Sequence, residues 1–175
     1  MAGDSSGRKY YPFAYRLDGK IGWLLYYSDH HDGFDQTESR FRSFSSLVSL
    51  MAHLATRGIL LEEPNEESGL TDLDEVALWL SRPTAANIDP GGFLNAWNFF
   101  NDAAKSIGES LHDQDEETEA TYDRLFHYGG PAWHTGLRTD DSPDWSPEEV
   151  QRLAIVLGQG LKIFRRGLNG RDRAS

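Results

Sequence analysis

Residues 10–27 read YYPFAYRLDGKIGWLLYY, and this stretch predicts a β-hairpin. Aromatic residues occupy alternate positions of its first half, which is the period of a strand with one buried face: Tyr11, Phe13 and Tyr15. Asp18-Gly19 supplies the two residues of a type I′ turn. The second half, Ile21–Tyr27, is apolar at nearly every position, which favours a central strand or one that is covered on both faces.

Helical periodicity follows the hairpin. A first helix is expected from near Ser43 to a C-cap at Gly58. Its predicted buried stripe comprises Phe44, Leu47, Val48, Met51, Leu54 and Ala55. The short apolar run Ile59–Leu61 is a candidate third strand that would pair with the hairpin.

Capping signals place the later helices. Thr71 is expected to cap a helix that Pro83 ends, and Asp89-Pro90 opens the next one. A shorter helix is expected near Thr118–Tyr128, and Ser146-Pro147-Glu148-Glu149 forms a capping box at the start of the last. The inward-facing residues of the Asp89-Pro90 helix are predicted to be Phe93, Trp97, Phe100, Ala104, Ile107 and Leu111.

These elements predict an α+β protein, in which an N-terminal antiparallel hairpin with the candidate third strand packs against four or five helices. We expect a disordered tail at residues 1–8, a single globular domain at 9–168 and a basic tail at 169–175. The 175 residues are enough for one core, because a chain of this size buries roughly 70% of its unfolded surface. The Gly158-x-Gly160 pair within the last helix indicates close helix packing.

The composition excludes several classes of protein. The chain has no cysteine, which rules out disulfide scaffolds, iron–sulfur clusters and thiol catalysis. No apolar run approaches the roughly 20 residues of a membrane span, and the N-terminus lacks the apolar region of a signal peptide. We therefore expect a cytoplasmic protein with no membrane partner.

The charge is large and uneven. The net formal charge is −11, but the segment 146–175 has six basic and three acidic residues and so carries +3, which leaves −14 on residues 1–145. Two acidic runs without an intervening Lys or Arg, Glu62–Glu75 and Glu109–Asp123, hold much of this charge. It argues against direct nucleic-acid binding, and a shared negative field steers basic partners into fast association.

No stretch carries a catalytic or metal-binding signature. In Asp29-His30-His31-Asp32, adjacent side chains point in different directions, so at most two of the four are suited to ligate one ion. The run from Asp113 begins like a calcium loop but has Thr118 and Arg124 where glycine and glutamate are required. The nucleophile elbow of serine hydrolases and the phosphate loop of nucleotide triphosphatases are both missing. We expect no enzymatic activity, no cofactor and no metal.

Two further groups are candidates for contact with a partner. Asn95, Asn98 and Asp102 share one face of their helix, which suggests bonds to neighbouring loops, contact with a partner, or a catalytic role for Asp102. Trp133 and Trp145 flank a long irregular stretch, where they suit either interface anchors or plugs of the core.

The chain also resembles a known family. Three segments carry the resemblance: Phe93–Asp102, Tyr122–Phe126, and Trp145–Glu149 at the start of a terminal helix. They are similar to segments of small acidic immunity proteins of bacterial polymorphic toxin and contact-dependent inhibition systems. The resemblance covers roughly residues 90–168. It implies an α+β cytoplasmic protein that binds a cognate toxin domain and blocks its active site without doing chemistry.

We therefore expect a toxin-neutralising immunity protein whose acidic loops face a basic surface of a cognate toxin, such as a nuclease. The predicted contact residues are Glu62, Glu63, Glu66, Glu67, Asp72, Glu116, Glu117, Trp133 and Trp145. One alternative is a small ligand-binding domain or enzyme with a pocket near the Gly129–Gly136 loop, using His127, His134 and Asp102. Another is a DNA mimic with carboxylates at phosphate-like spacing.

Overall fold

The computed structural model describes residues 8–62, 69–112, 115–131 and 143–169. Its strands are β1 (Lys9–Leu17), β2 (Lys20–Ser28), β3 (Gly33–Phe34), β4 (Gln36–Thr37), β5 (Arg40–Phe41) and β6 (Thr71–Asp72). Its α-helices are α1 (Leu47–Arg57), α2 (Leu73–Ser81), α3 (Pro90–Ser106), α4 (Glu116–Gly129) and α5 (Pro147–Asn169), with a 3-10 turn at Ala85–Asn87. The α+β class and the N-terminal hairpin are confirmed.

The hairpin has the predicted turn. β1 and β2 are antiparallel, and Leu17 pairs with Lys20, so two residues connect the strands. Asp18 has a φ angle of 54° and Gly19 one of 71°, and a type I′ turn requires a positive φ at both positions.

The second hairpin strand is central and covered on both faces, as its apolar sequence predicts. The main sheet has the order β3-β2-β1-β6, in which only the β1–β6 pair is parallel. Neighbouring residues of a strand point to opposite faces, so Leu24 packs into the main core while Leu25 packs beneath α1. The sheet therefore lies between α1 on one side and the other helices on the opposite side.

The buried face of α1 differs from the predicted one. Ser46 is the N-cap and Gly58 is the left-handed C-cap, but the fully buried residues of the helix are Leu50 and Leu54. Val48 and Met51 are 76% and 53% exposed. The periodicity allowed two overlapping apolar stripes, and the sheet packs against the one that includes Leu50.

Two other local predictions are wrong. Ile59–Leu61 forms no strand; Ile59 and Leu61 pack as irregular chain against the cluster under α1. The N-cap of α2 is Asp72 rather than Thr71, and its carboxylate accepts hydrogen bonds from the backbone of Asp74 and Glu75. Thr71 instead begins β6, because residues 71–72 pair with β1.

The main core lies where α3 crosses α5. All six predicted inward residues of the α3 segment are buried. A Cβ atom at Gly160 of α5 would lie 2.4 Å from the Phe100 ring, which confirms that this glycine permits close packing. The capping box is formed, since Ser146 and Glu149 exchange side-chain to backbone hydrogen bonds of 2.8 and 3.2 Å.

Candidate binding groove along helix α3

Three adjacent clefts lie along the exposed side of α3. The first, of about 170 Å³, lies at its N-terminus beside α2. The central cleft, of about 360 Å³, lies between α3 and the sheet. The third, of about 410 Å³, lies between the C-terminal half of α3 and α4. We call the three together the α3 groove.

Shared lining residues make the groove continuous. Asn95 lines both the first and the central cleft, as do Leu70 and Thr71. Asn98 lines both the central and the third cleft. Asp102 lies one turn further along α3 and lines the central cleft. The polar face that the sequence singled out is therefore the wall that joins the clefts.

The groove is strongly acidic. Its acidic lining residues are Asp72, Glu75, Asp89, Asp102, Glu109, Glu119 and Asp123. Among the described residues that line it, Lys105 is the only lysine or arginine. Arg16 and Arg166, from outside the lining, pair with Asp72 and Glu109, whereas the other five carboxylates make no salt bridge to a described residue. The groove thus presents a net negative charge along its whole length.

The two acidic runs of the sequence contribute to opposite ends of this groove. Asp72 and Glu75, at the start of α2, line the first cleft. Glu109, Glu119 and Asp123, on α4 and the loop before it, line the third. The fold therefore places carboxylates from residues 72–75 and 109–123 along a single helix, a relationship that their separation in sequence did not indicate.

The central cleft combines aromatic surface with a half-buried carboxylate. The Tyr26 hydroxyl donates to Oδ2 of Asp102 over 3.4 Å. Burial, followed by the neighbouring carboxylates of Asp102 and Asp32, raises the pKa of Tyr26 well above its ordinary value. Burial also raises the pKa of Asp102, although the nearby Lys105 ammonium opposes this effect. Both shifts arise where negative charge is poorly solvated, so a cation entering the cleft would be favoured.

The third cleft has a different lining. Trp97 and His112 lie edge to face, with ring centroids 5.3 Å apart, and Tyr122 packs on the same indole at 5.4 Å. The Tyr122 hydroxyl donates to Oδ1 of Asn98 over 2.9 Å, which ties α4 to α3 at the boundary of the two clefts. The Asn98 side chain is thus bonded to a neighbouring helix and not to a loop.

The predicted contact residues have different environments. Glu62 and Glu116 are exposed. Asp72 pairs with Arg16, and Glu117 pairs with Arg152, so part of their charge is neutralised within the chain. Glu63, Glu66, Glu67 and Trp133 lie outside the described residues.

Trp145 belongs to the core rather than to a surface. It is 6% exposed and joins the main hydrophobic cluster. The Arg124 guanidinium lies 5.6 Å from the centre of its ring. The structure therefore supports the interpretation in which Trp145 fills the core, and not the one in which it anchors an interface.

The other sequence candidates that the structure describes do not gather into a site. Asp29 accepts from Arg8 and from the backbone of His31, and Asp32 accepts from Ser28. In the described ranges, no group of three or more metal-ligating side chains is placed to hold an ion. His127 is exposed, and His134 lies outside the described residues, so the proposed pocket near Gly129–Gly136 stays a prediction. None of the described helices is long and apolar enough to cross a membrane.

Sequence reasoning missed Tyr26, Asp89 and Lys105 as groove residues. Tyr26 lies within a strand that reads as core, and Asp89 reads as a helix cap. The spacing of Glu116, Glu119 and Asp123 at i, i+3 and i+7 was the available signal for an acidic face on α4.

A comparison of the chain with protein-family models, with curated proteins and with solved structures found no match.

Proposed function

We propose that the protein is a toxin-neutralising immunity protein, and that the α3 groove binds a basic surface of a cognate bacterial toxin domain and blocks its active site. The observation that carries this proposal is the convergence of the two acidic runs along α3. Glu75, Asp102, Glu119 and Asp123 contribute carboxylates without an intramolecular salt bridge to a described residue. An acidic groove is complementary in charge to the basic surface with which a nuclease binds its polyanionic substrate.

Electrostatics supports binding more than it supports chemistry. Self-repulsion among unpaired carboxylates weakens the folded state, whereas the same field raises the rate of association with a basic partner by ~10-fold or more at low salt. A partner that places negative charge against these carboxylates is also disfavoured, because like charges repel. The cost to stability is thereby offset by speed and selectivity of binding.

The test is co-expression with the product of the neighbouring reading frame, which the proposal expects to encode a toxin-like domain. The tagged protein is expected to copurify with that domain at low salt and to abolish its toxicity. The variant E119K/D123K reverses two groove carboxylates and is expected to lose both effects. E38K/E148K changes the net charge equally at exposed positions outside the groove lining and is expected to retain them. Retention of both effects by the groove variant would contradict the proposal.

A second candidate function is a small ligand-binding domain. It is favoured by the central cleft, which combines a concave aromatic surface with two titratable groups of raised pKa, Tyr26 and Asp102. This candidate predicts a low-molecular-weight ligand that binds without any protein partner.

A further inference from the structure

We infer that the central cleft of the α3 groove is a subsite for an alkylguanidinium group, with Asp102 as its counter-ion and Phe13 and Tyr26 as its aromatic walls. The inference deepens the proposed function, because it names the chemistry that the groove takes from a partner: an arginine side chain. It rests on the geometry of one cleft, so its failure is separable from that of the groove as a whole.

The size and the walls of the cleft suit such a group. A cleft of about 360 Å³ accommodates a side chain of the length of arginine with room for water. Phe13 and Tyr26 are half-buried and have ring centroids 6.4 Å apart. Phe34 and Phe99 pack against Phe13 at 5.3 and 5.2 Å and are themselves almost fully buried, so the aromatic walls rest on a rigid floor. Flat apolar walls favour a planar cation over a compact one.

The carboxylate of Asp102 has unused capacity to accept hydrogen bonds. Among the described residues, its hydrogen-bond donor is the Tyr26 hydroxyl at 3.4 Å, a long bond that a charged donor would replace. Asp32 adds a second negative charge near Tyr26, and Lys105 is the nearby cation. An anionic ligand would face both carboxylates, and a neutral one would leave Lys105 as the only described cation near Asp102.

The rim of the cleft adds groups that recognise a planar donor. Asn95 and Asn98 are exposed and line the cleft from α3, and the Asn98 side-chain oxygen already accepts from Tyr122. Amide oxygens and a carboxylate are acceptors for the five N–H donors of a guanidinium, whereas an ammonium has three. The arrangement therefore favours an arginine over a lysine of the partner.

Two sources can supply an alkylguanidinium: a side chain of a protein partner and a free small molecule. The probe for the chemistry itself is butylguanidinium, with N-butylurea as its neutral planar isostere and butylamine as its ammonium counterpart. Binding is followed on the wild-type protein by backbone and aromatic chemical shifts in nuclear magnetic resonance. This measurement needs no variant and so does not depend on whether a substitution is tolerated.

We expect butylguanidinium to shift resonances of Phe13, Tyr26 and Asp102, and to bind at least five-fold more tightly than butylamine. N-butylurea is expected to leave these resonances unchanged at the same concentration. D102N is expected to weaken butylguanidinium at least ten-fold, whereas D123N, which removes an equal charge from the third cleft, is expected to change it less than three-fold. Thermal unfolding of both variants checks that the fold is retained.

The inference is overturned if N-butylurea binds as tightly as butylguanidinium, if the shifts map away from the central cleft, or if D102N and D123N behave alike. A copurified toxin domain separates the two sources. If its binding is weakened by D102N and by replacement of one of its own arginines with lysine, the guanidinium comes from the partner. If the domain binds D102N normally while butylguanidinium does not, the groove proposal stands and the arginine subsite is a small-molecule site. If the domain does not bind at all but the probe does, the proposed function fails alone.

Discussion

The Arg165 guanidinium on α5 makes two hydrogen bonds to the Asp18 carboxylate in the hairpin turn, with Nη1–Oδ2 at 2.5 Å and Nη2–Oδ1 at 2.7 Å. The same turn is held from α2, because the Asp74 carboxylate accepts the backbone N–H groups of Asp18 and Gly19 at 2.6 and 2.8 Å. The turn is thereby attached to two helices at once. These contacts orient the sheet against α2, beside which the first cleft of the groove is formed.

The first prediction concerns this ion pair. D18N removes the charge but keeps a residue that tolerates the left-handed backbone of the turn, where φ is 54°. Both side chains are partly exposed, so the loss of unfolding free energy is expected to be less than about 1 kcal/mol at low salt and smaller at 1 M salt. Urea denaturation at the two salt concentrations measures it. A loss of stability that is independent of salt would contradict an electrostatic role.

The pair also makes stability depend on pH. The Arg165 hydrogen bonds lower the pKa of Asp18 in the folded protein below its usual value. A lowered folded-state pKa stabilises the protein above the unfolded-state pKa, and this contribution is lost as the pH falls through the folded-state pKa. The difference in stability between wild type and D18N is therefore expected to be full at pH 6 and to shrink below about pH 4. Urea denaturation across this range gives the result, and a constant difference would contradict it.

The second prediction compares two glycines of α5. A Cβ at Gly160 would lie 2.4 Å from the Phe100 ring, whereas a Cβ at Gly158 would have its nearest neighbour, Leu80, at 3.9 Å. G160A is expected to destabilise the protein by about 1–3 kcal/mol through overpacking of the core. G158A is expected to stabilise it by up to about 1 kcal/mol, because alanine is the better helix former. Thermal and urea unfolding of the two variants provide the comparison; equal effects would contradict the packing at α3 and α5.

The third prediction tests which face of α1 is buried. Leu50 has no exposed surface and Val48 is 76% exposed. L50A is expected to cost about 2–5 kcal/mol of unfolding free energy, whereas V48A is expected to change it by less than about 0.5 kcal/mol. Denaturant unfolding of both variants decides between the observed face and the stripe predicted from the sequence. A larger loss for V48A than for L50A would restore the sequence-based stripe.

The sequence was sufficient where a local signal had one interpretation. Asp18-Gly19, Asp89-Pro90 and the Ser146–Glu149 capping box each predict a boundary, and the structure confirms all three. It was insufficient where two interpretations share one pattern. Val48 and Leu50 are both apolar residues of α1. Which of them is buried depends on how the helix packs against the sheet, and local spacing does not encode that tertiary contact.

The groove could be predicted only in part. Asn95, Asn98 and Asp102 were recognisable as one polar face, because helical spacing is a local property. That Glu75 and Asp123 lie along that same helix depends on how α2 and α4 pack, which no local spacing encodes. Trp145 illustrates the reverse case, since a tryptophan in an irregular stretch suits a surface or a core until its neighbours are known.

The association rate of the cognate toxin domain with groove variants tests the central claim most directly. It is measured by surface plasmon resonance at 50 mM and 500 mM salt, for the wild type, for E119K/D123K and for the charge-matched E38K/E148K. At the lower salt the groove variant is expected to associate at least ten-fold more slowly than wild type, and the control less than three-fold more slowly, with the difference shrinking at the higher salt. Equal association rates for the two variants would contradict binding through the acidic groove along α3.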